Sequence, residues 1–503
     1  MKTSKSLKIL RSYSLLLLLF VFNQNSFAQS DNYWSWNFNT MSMLMAGSVV
    51  GGNADASSIY YNPSLITWDE GPSLTFSASL LSIQSYEAEN IAGDGIDLDK
   101  SIVKIQPRFI SFNFKTKNEK LNIEASVLTP VSEDMSYTLQ HFDYMDLIER
   151  TAGMENYSGY LNYSRKYDDI YIGVGGSYRI TERLSVGSSL FVSVKTMKYE
   201  YRQIAEAYQD ADTVYVDEIP EARYIVESSF EEALNYWDLS LVLKLGAHYR
   251  LLNDQIGLGL NFTFPNIPIY GEADVRKSLV RSNVYDNSAN QFTTNSVFVE
   301  MEEKARTRIK SPFSAAFGMQ FSTKSGKSTI SLTLEYFHQI DSYALFESDY
   351  ASGEAPEPWP GWVGSIRLMS YSNSSRAVAN FGLGFKQYIS PSIQMMGGFR
   401  TDFTSGDGDN IRFNQNAFKI NQVHFNKYHI TVGPELKLRK VRMVTGVQYS
   451  FGRNEDILQL VNYSDPMEYN PVSEKSLEGV RQSNSNVAIN EISLFLGLTI
   501  GSD

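Results

Sequence analysis

Long stretches of this chain alternate apolar and polar side chains with a period of two, over lengths that strands of soluble domains seldom reach. From Trp237 to Tyr249 the odd positions read Trp237, Leu239, Leu241, Leu243, Leu245, Ala247 and Tyr249, while the even ones include Asp238, Ser240, Lys244, Gly246 and His248. Leu184, Val186, Leu190, Val192 and Val194 are separated by Ser185, Gly187, Ser189 and Ser193, and Ile492 to Ile500 repeats the pattern. Successive side chains of a strand point to opposite faces, so each stretch builds a sheet with one apolar and one polar face. A soluble sandwich alternates too, so the pattern alone leaves two architectures open.

Length and spacing choose between them. Fourteen such strands can be read, at about 72–86, 104–115, 120–130, 157–180, 183–201, 236–250, 255–266, 296–321, 328–340, 376–389, 391–403, 427–438, 441–452 and 490–500. Most hold at least ten residues, where soluble strands typically hold about five or six and a tilted membrane strand about 9–11. Short connections near Lys117-Asn118, Thr181-Glu182, Asn253-Asp254, Lys324-Ser325, Pro391 and Arg439-Lys440 alternate with long ones at 87–103, 131–156, 202–235, 267–295, 341–375, 404–426 and 453–489. Short turns at one end and long loops at the other describe an all-β transmembrane antiparallel β-barrel of the outer-membrane type, with an even strand number. Aromatics near strand ends, Tyr199, Tyr201, Tyr236 and Trp237, are expected to form girdles at the membrane surfaces. Past residue 28 no apolar run approaches the ~18 residues of a spanning helix, which excludes a helical membrane protein.

Residues 1–28 read as a secretory signal peptide. Lys2, Lys5, Lys8 and Arg11 precede the apolar Leu15 to Phe22, and Ser26-Phe27-Ala28 supplies the small residues of a cleavage site. Removing those four basic residues lowers the formal charge from -12 to -16. So acidic a chain has no basic stripe for nucleic acid. With no Cys there are no disulfides or thiolate metal sites. His141, His248, His338, His424 and His429 are scattered with no close His/Glu metal spacing, and no Gly-x-Ser-x-Gly motif is present, so the sequence points to no enzyme, cofactor or metal. Gly93-Asp94-Gly95 with Asp97 and Asp99, and Gly406 to Asn410, fall short of a calcium-loop spacing and read as polar loop tips.

A fourteen-stranded barrel is wide enough to leave a pore unless something fills it. The stretch 29–70, too short for a core of its own, is rich in apolar and small residues: Trp34, Trp36, Met41, Met43, Leu44, Met45, Ala46-Gly47 and Gly51-Gly52. It is expected to plug the lumen from the periplasmic side, leaving 71–503 as the barrel. Within it, Met45-Ala46-Gly47-Ser48-Val49-Val50-Gly51-Gly52-Asn53-Ala54-Asp55-Ala56-Ser57-Ser58-Ile59-Tyr60-Tyr61-Asn62-Pro63-Ser64 resembles the N-terminal hatch of the FadL/TodX outer-membrane transporters. That family usually has Ala where Ser64 stands. The resemblance implies a monomer in the outer membrane of a Gram-negative bacterium, carrying long-chain fatty acids or hydrocarbons and touching outer-membrane lipid. It also implies capture in an extracellular groove and lateral release at a kinked third strand. PorV-like components of a protein secretion system share this barrel, so docking of secreted proteins is the alternative.

The resemblance selects Tyr60, Tyr61, Asn62, Pro63 and Ser64 as ligand route or hatch, although Asn-Pro is also an ordinary turn signal. Pro130 closes the third strand, either as a kink or simply as its end. Phe264, Ile267, Ile269 and Tyr270 form an apolar run suited to ligand capture, or to the aromatic rim of a strand leaving the membrane. The loop at 202–235 carries nine acidic residues against Arg202 and Arg223, a field that opposes a carboxylate ligand. A carboxylate would need a deeper cation, with Lys195, Lys244 and Arg250 on polar faces, or the ligand is uncharged.

Overall fold

A computed structural model describes residues 32–35, 38, 40–69, 73–151, 153–210, 213–216, 219–252, 254–346, 370–406, 413–414, 417–418, 420, 422–471 and 475–501. The expected signal peptide, Trp36 and most of the second Asp-rich loop lie outside them. Sixteen strands share one sheet. In chain order they are β1 Ser73–Glu89, β2 Leu98–Lys115, β3 Leu121–Met145, β4 Glu155–Arg179, β5 Leu184–Gln209, β6 Ile225–Leu251, β7 Ile256–Thr263 and β8 Ile267–Ser282. β9 Ser296–Arg306, β10 Ser314–Ser322, β11 Ser328–Phe337, β12 Val378–Ser390, β13 Ile393–Asp402, β14 Asn426–Leu438, β15 Val441–Leu458 and β16 Ser483–Gly501 follow. Pairing of β1 with β16 and of β6 with β7 closes fourteen of them into an antiparallel barrel. The remaining two, β8 and β9, form a hairpin that continues the wall upward on β6.

The wall shows why the alternation is legible. Around the lower barrel the exposed positions are Leu, Ile, Val and Phe, such as Leu74, Phe112, Ile172, Leu190, Leu243, Leu260, Phe317 and Leu494. The buried positions between them are Ser, Thr, Asn and Gly. An apolar outer face suits lipid, and closure of the sheet pairs the backbone around most of the wall.

Strands β3 to β6 run to 25, 25, 26 and 27 residues, well into stretches where loops are expected. Along β5 the outward side chains change from Val192 and Val194 to Lys198, Glu200 and Arg202, while the inward ones change from Ser189 and Ser193 to Tyr199 and Tyr201. The period of two persists but its polarity inverts above the bilayer, because water now bathes the outside and side chains fill the inside. This also corrects the expected girdle. Tyr199, Tyr201 and Tyr236 are buried inside the barrel. Rings on the outer face are instead Trp237 against Tyr270, at 5.3 Å, and the row Phe399, Tyr428, Phe451 and Tyr449.

The expected seventh strand ends early, the loop expected at 267–295 begins with β8 instead, and the expected eighth strand is broken in two. β7 stops before Phe264-Pro265, and Pro312 lies in the break between β9 and β10. Proline cannot donate to a ladder; here Asn266 spans the two breaks, bonding Ile309 O at 2.6 Å and Ser311 N at 2.6 Å.

The described residues between 32 and 69 lie in the lumen. They form two short helices, α1 Thr40–Leu44 and α2 Ser58–Tyr61, and a 3₁₀ turn at Pro63–Trp68. Phe38, Leu44, Met45, Ile59 and Ile66 pack with inward Phe109, Leu128, Phe191, Val444 and Phe495. Glycines on the wall admit this backbone: a Cβ at Gly187 would sit 2.5 Å from Pro63 C, and one at Gly259 would overlap the Val50 carbonyl oxygen.

Candidate functional site

Asn62-Pro63-Ser64 is knitted to the wall. Asn62 Nδ2 donates to Val50 O at 2.8 Å and Ala247 O at 3.3 Å, and its Oδ1 accepts from Ser64 N at 3.2 Å. Ser64 O accepts from Ser177 Oγ at 2.9 Å and Ser185 Oγ at 2.8 Å. The motif therefore faces β4, β5 and β6, and it is the start of a 3₁₀ turn rather than an isolated bend. Below it Trp68 lies between two guanidinium groups, with Arg250 3.5 Å and Arg179 4.3 Å from the ring centre. Cation–π contacts of this kind hold the lower end of the segment to the barrel.

The wall is incomplete on the opposite side of β3. The β2–β3 ladder holds only seven residue pairs and ends at Phe109↔Leu128. Above it β2 continues to Leu98 on β1, and β3 continues to Met145 on β4. Pro107 and Pro130 stand on the two sides of the fork, and neither can donate to a continuing ladder. The β3–β4 register shifts between Leu128 and Val131, and the inward parity of β3 changes with it, from Asn122, Glu124, Ser126 to Tyr137, Leu139. Apolar Val103 and Ile105, 64% and 73% exposed, form the outer lip of the fork on β2. Side chains span it in place of backbone bonds. Lys104 Nζ donates to Asp134 O at 2.8 Å and Gln106 Nε2 to Ser132 Oγ at 2.9 Å, while Ser132 Oγ in turn donates to Asp168 Oδ1 on β4 at 2.7 Å.

Two chambers lie behind the fork. The upper is lined by Lys104, Ser132, Met135, Phe425 and Ile489. The lower brings Pro130 together with Tyr60, Tyr171, Lys195, Lys244 and Glu335. Asn32 and Ser35 border the upper chamber and Tyr33 the lower one, so the start of the luminal segment divides them. It is clipped to β13: Trp34 N and Ser35 Oγ donate to the Asp402 carboxylate, both at 2.9 Å, and Arg400 donates to Ser35 O at 2.8 Å.

Of the sequence candidates, Tyr60 and Pro130 meet in one chamber. Tyr61 packs beside Tyr60, at 5.2 Å, and under Phe38. Phe264, Ile267, Ile269 and Tyr270 are exposed on the outer face, and none lines either chamber. Lys195 faces Asp169 at 3.7 Å, Lys244 reaches the lower chamber, and Arg250 is taken by Trp68 and Asp254. Asp97 accepts from Asn90 N, and Asp94 from Asn484 Nδ2, as loop-tip bonds. Sequence reasoning missed Lys104, Gln106 and Pro107; a proline inside the expected strand 104–115 was the available signal.

The extracellular end is capped by the chain between β15 and β16. Tyr463 sits on Gly159 and donates to Tyr160 O at 2.8 Å, while Tyr157 donates to Leu477 O at 2.9 Å. Glu468 gathers two other loops, accepting from Glu149 N and Tyr285 N, both at 2.8 Å. Burial pushes the Glu468 carboxyl up to about 7. A carboxyl raised in the folded state adds stability that is complete below its ordinary pKa and is lost as pH rises through about 7. Cap stability should therefore fall by about 3 kcal/mol between pH 4 and 8 in the native protein, and Glu468→Gln should flatten that slope. Limited proteolysis of the extracellular loops against pH reads this directly; parallel profiles for both proteins would refute it.

A closed fourteen-stranded antiparallel barrel with an apolar outer face and a filled lumen defines a transmembrane barrel of the outer-membrane type. Among solved structures the chain is similar to the Pseudomonas putida toluene transporter TodX, at 12% identity and TM-score 0.54 over 94% of this chain and 99% of that one. It is similar to a Pseudomonas aeruginosa FadL homologue at 9% identity and TM-score 0.53, covering 95% and 99%. The Ralstonia pickettii toluene transporter TbuX follows at 10% identity and TM-score 0.50, covering 93% and 98%. No family model and no curated protein matches the sequence. At these identities the likeness establishes the fold: this chain has the FadL-like barrel.

Proposed function

We propose that this protein is a monomeric channel of the Gram-negative outer membrane that passes an apolar small molecule inward by diffusion and releases it sideways into the bilayer. The observation that carries the reading is the β2–β3 ladder, which stops after seven pairs while both strands continue. Backbone left unpaired at membrane depth is costly unless it lines a cavity, and this fork opens onto the upper chamber with an apolar lip towards lipid. A hydrocarbon leaving there moves from one apolar environment to another without crossing water. The Lys104 and Gln106 side chains close the fork with bonds that can part, each worth about 1 kcal/mol net, whereas a continued ladder would have to be broken as a unit. Solved barrels of this fold include those titled toluene transporters, which agrees with an apolar cargo.

The test is uptake of radiolabelled toluene and oleate in cells lacking their own transporter of this kind. Uptake of either at several times the empty-vector rate is expected. Neither entering, with the barrel shown folded in the outer membrane, would reject transport and turn attention to docking of secreted proteins.

A further inference from the structure

Resting on that reading, we propose that the lower chamber selects an aromatic ligand bearing one neutral hydroxyl, a phenol, over both the bare hydrocarbon and the aromatic carboxylate. The chamber is walled by rings. Tyr33 stacks on Phe337 at 4.5 Å, Tyr60 stands 6.2 Å from Tyr171, and Tyr167 completes the lining. Such walls suit a flat apolar body.

Four charged groups interrupt them. Asp169 and Lys195 face each other at 3.7 Å, with Ser193 donating to Asp169 at 2.7 Å, and so neutralise one another. Lys244 and Glu335 are different. Lys244 is buried, donates to Thr263 Oγ1 at 2.9 Å, and rests 3.8 Å over the Tyr60 ring, but it makes no ion pair among the described residues. An ammonium carries three protons, so it retains donor capacity towards the chamber. Glu335 accepts from Trp34 Nε1 at 2.7 Å and Ser314 Oγ at 2.7 Å, and each oxygen keeps a second lone pair. The chamber thus offers a spare donor and a spare acceptor at no net formal charge.

A hydroxyl answers both, accepting from Lys244 and donating to Glu335. A bare ring displaces water from the ammonium and returns no bond, which is the costly case for a buried polar group. A carboxylate satisfies Lys244 but meets Glu335 and Asp169, after passing an extracellular wall bearing Glu206, Asp210 and Glu227.

Equilibrium dialysis of the full-length protein in nanodiscs, with empty discs subtracted, tests this using p-cresol, toluene and p-toluate. Binding of p-cresol should be at least about tenfold tighter than toluene, with p-toluate weakest. Lys244→Met should weaken p-cresol and, by removing the ammonium that a bare ring must desolvate, tighten toluene, so that the preference between them disappears; Glu335→Gln serves as the second variant if Lys244→Met does not fold. Toluene bound as tightly as p-cresol, a preference that survives both variants, or p-toluate bound tightest would overturn this inference while leaving transport standing. No binding of any of the three would overturn both readings.

Discussion

Removing residues 29–70 should turn this barrel into an ion-conducting pore. The expectation follows from what the segment touches. Phe38, Leu44, Met45, Ile59 and Ile66 fill the lumen against Phe109, Phe191, Val444 and Phe495. At wall positions Gly187, facing Pro63, and Gly259, facing the Val50 carbonyl, only glycine admits its backbone, and within the segment itself a Cβ at Gly51 would lie 2.5 Å from Met319 N. Apart from these few apolar contacts the lower wall left behind is mostly Ser, Thr, Asn and Gly, which water wets readily. With fourteen strands the emptied bore exceeds that of an eight-stranded barrel filled by its own side chains, so single-channel conductance in planar bilayers should rise by about tenfold or more. The barrel itself should still fold, because its ladder does not run through the segment. Gly259→Leu is the milder form of the experiment, displacing the segment near Val50 and opening a smaller leak. Conductance identical to the native protein after the deletion would show that the segment does not seal the lumen.

Tying β2 to β3 should abolish transport while leaving the barrel intact. Gln106 and Ser132 meet across the fork at 2.9 Å between their side-chain ends, and the native chain has no cysteine. Cysteines placed at both positions would be the only thiols. Because the glutamine side chain spans much of the distance, a direct disulfide is too short and a short bis-methanethiosulfonate linker is the suitable reagent. Uptake of toluene should fall at least about tenfold when linked and recover on reduction, since the linker replaces bonds of about 1 kcal/mol with covalent ones. Each single cysteine variant treated alike should keep its uptake. Full uptake with the cross-link demonstrated would place the exit elsewhere.

Strand number, the plugged lumen and the outward apolar face are properties of local pattern, and they are legible in the chain. Alternation at Trp237 to Tyr249 needs no knowledge of neighbours, because the backbone sends successive side chains to opposite faces whatever the strand pairs with. Glycine and small residues at 45–52 announce close backbone approach without saying to what. Three things depended on tertiary structure. Tyr199 and Tyr201 turn inward because parity along β5 is fixed by pairing lower in the barrel, and the sign of the alternation inverts where water replaces lipid. The fork at Pro107 and Pro130 needs two prolines, distant in the chain, to fall at the same height on adjacent strands, a matter of register that neither one specifies. Tyr60, Pro130, Lys244 and Glu335 share a chamber only because the barrel closes on itself and the luminal segment folds back within it. Local residue order sets which face each side chain takes, whereas closure of the sheet sets which side chains meet.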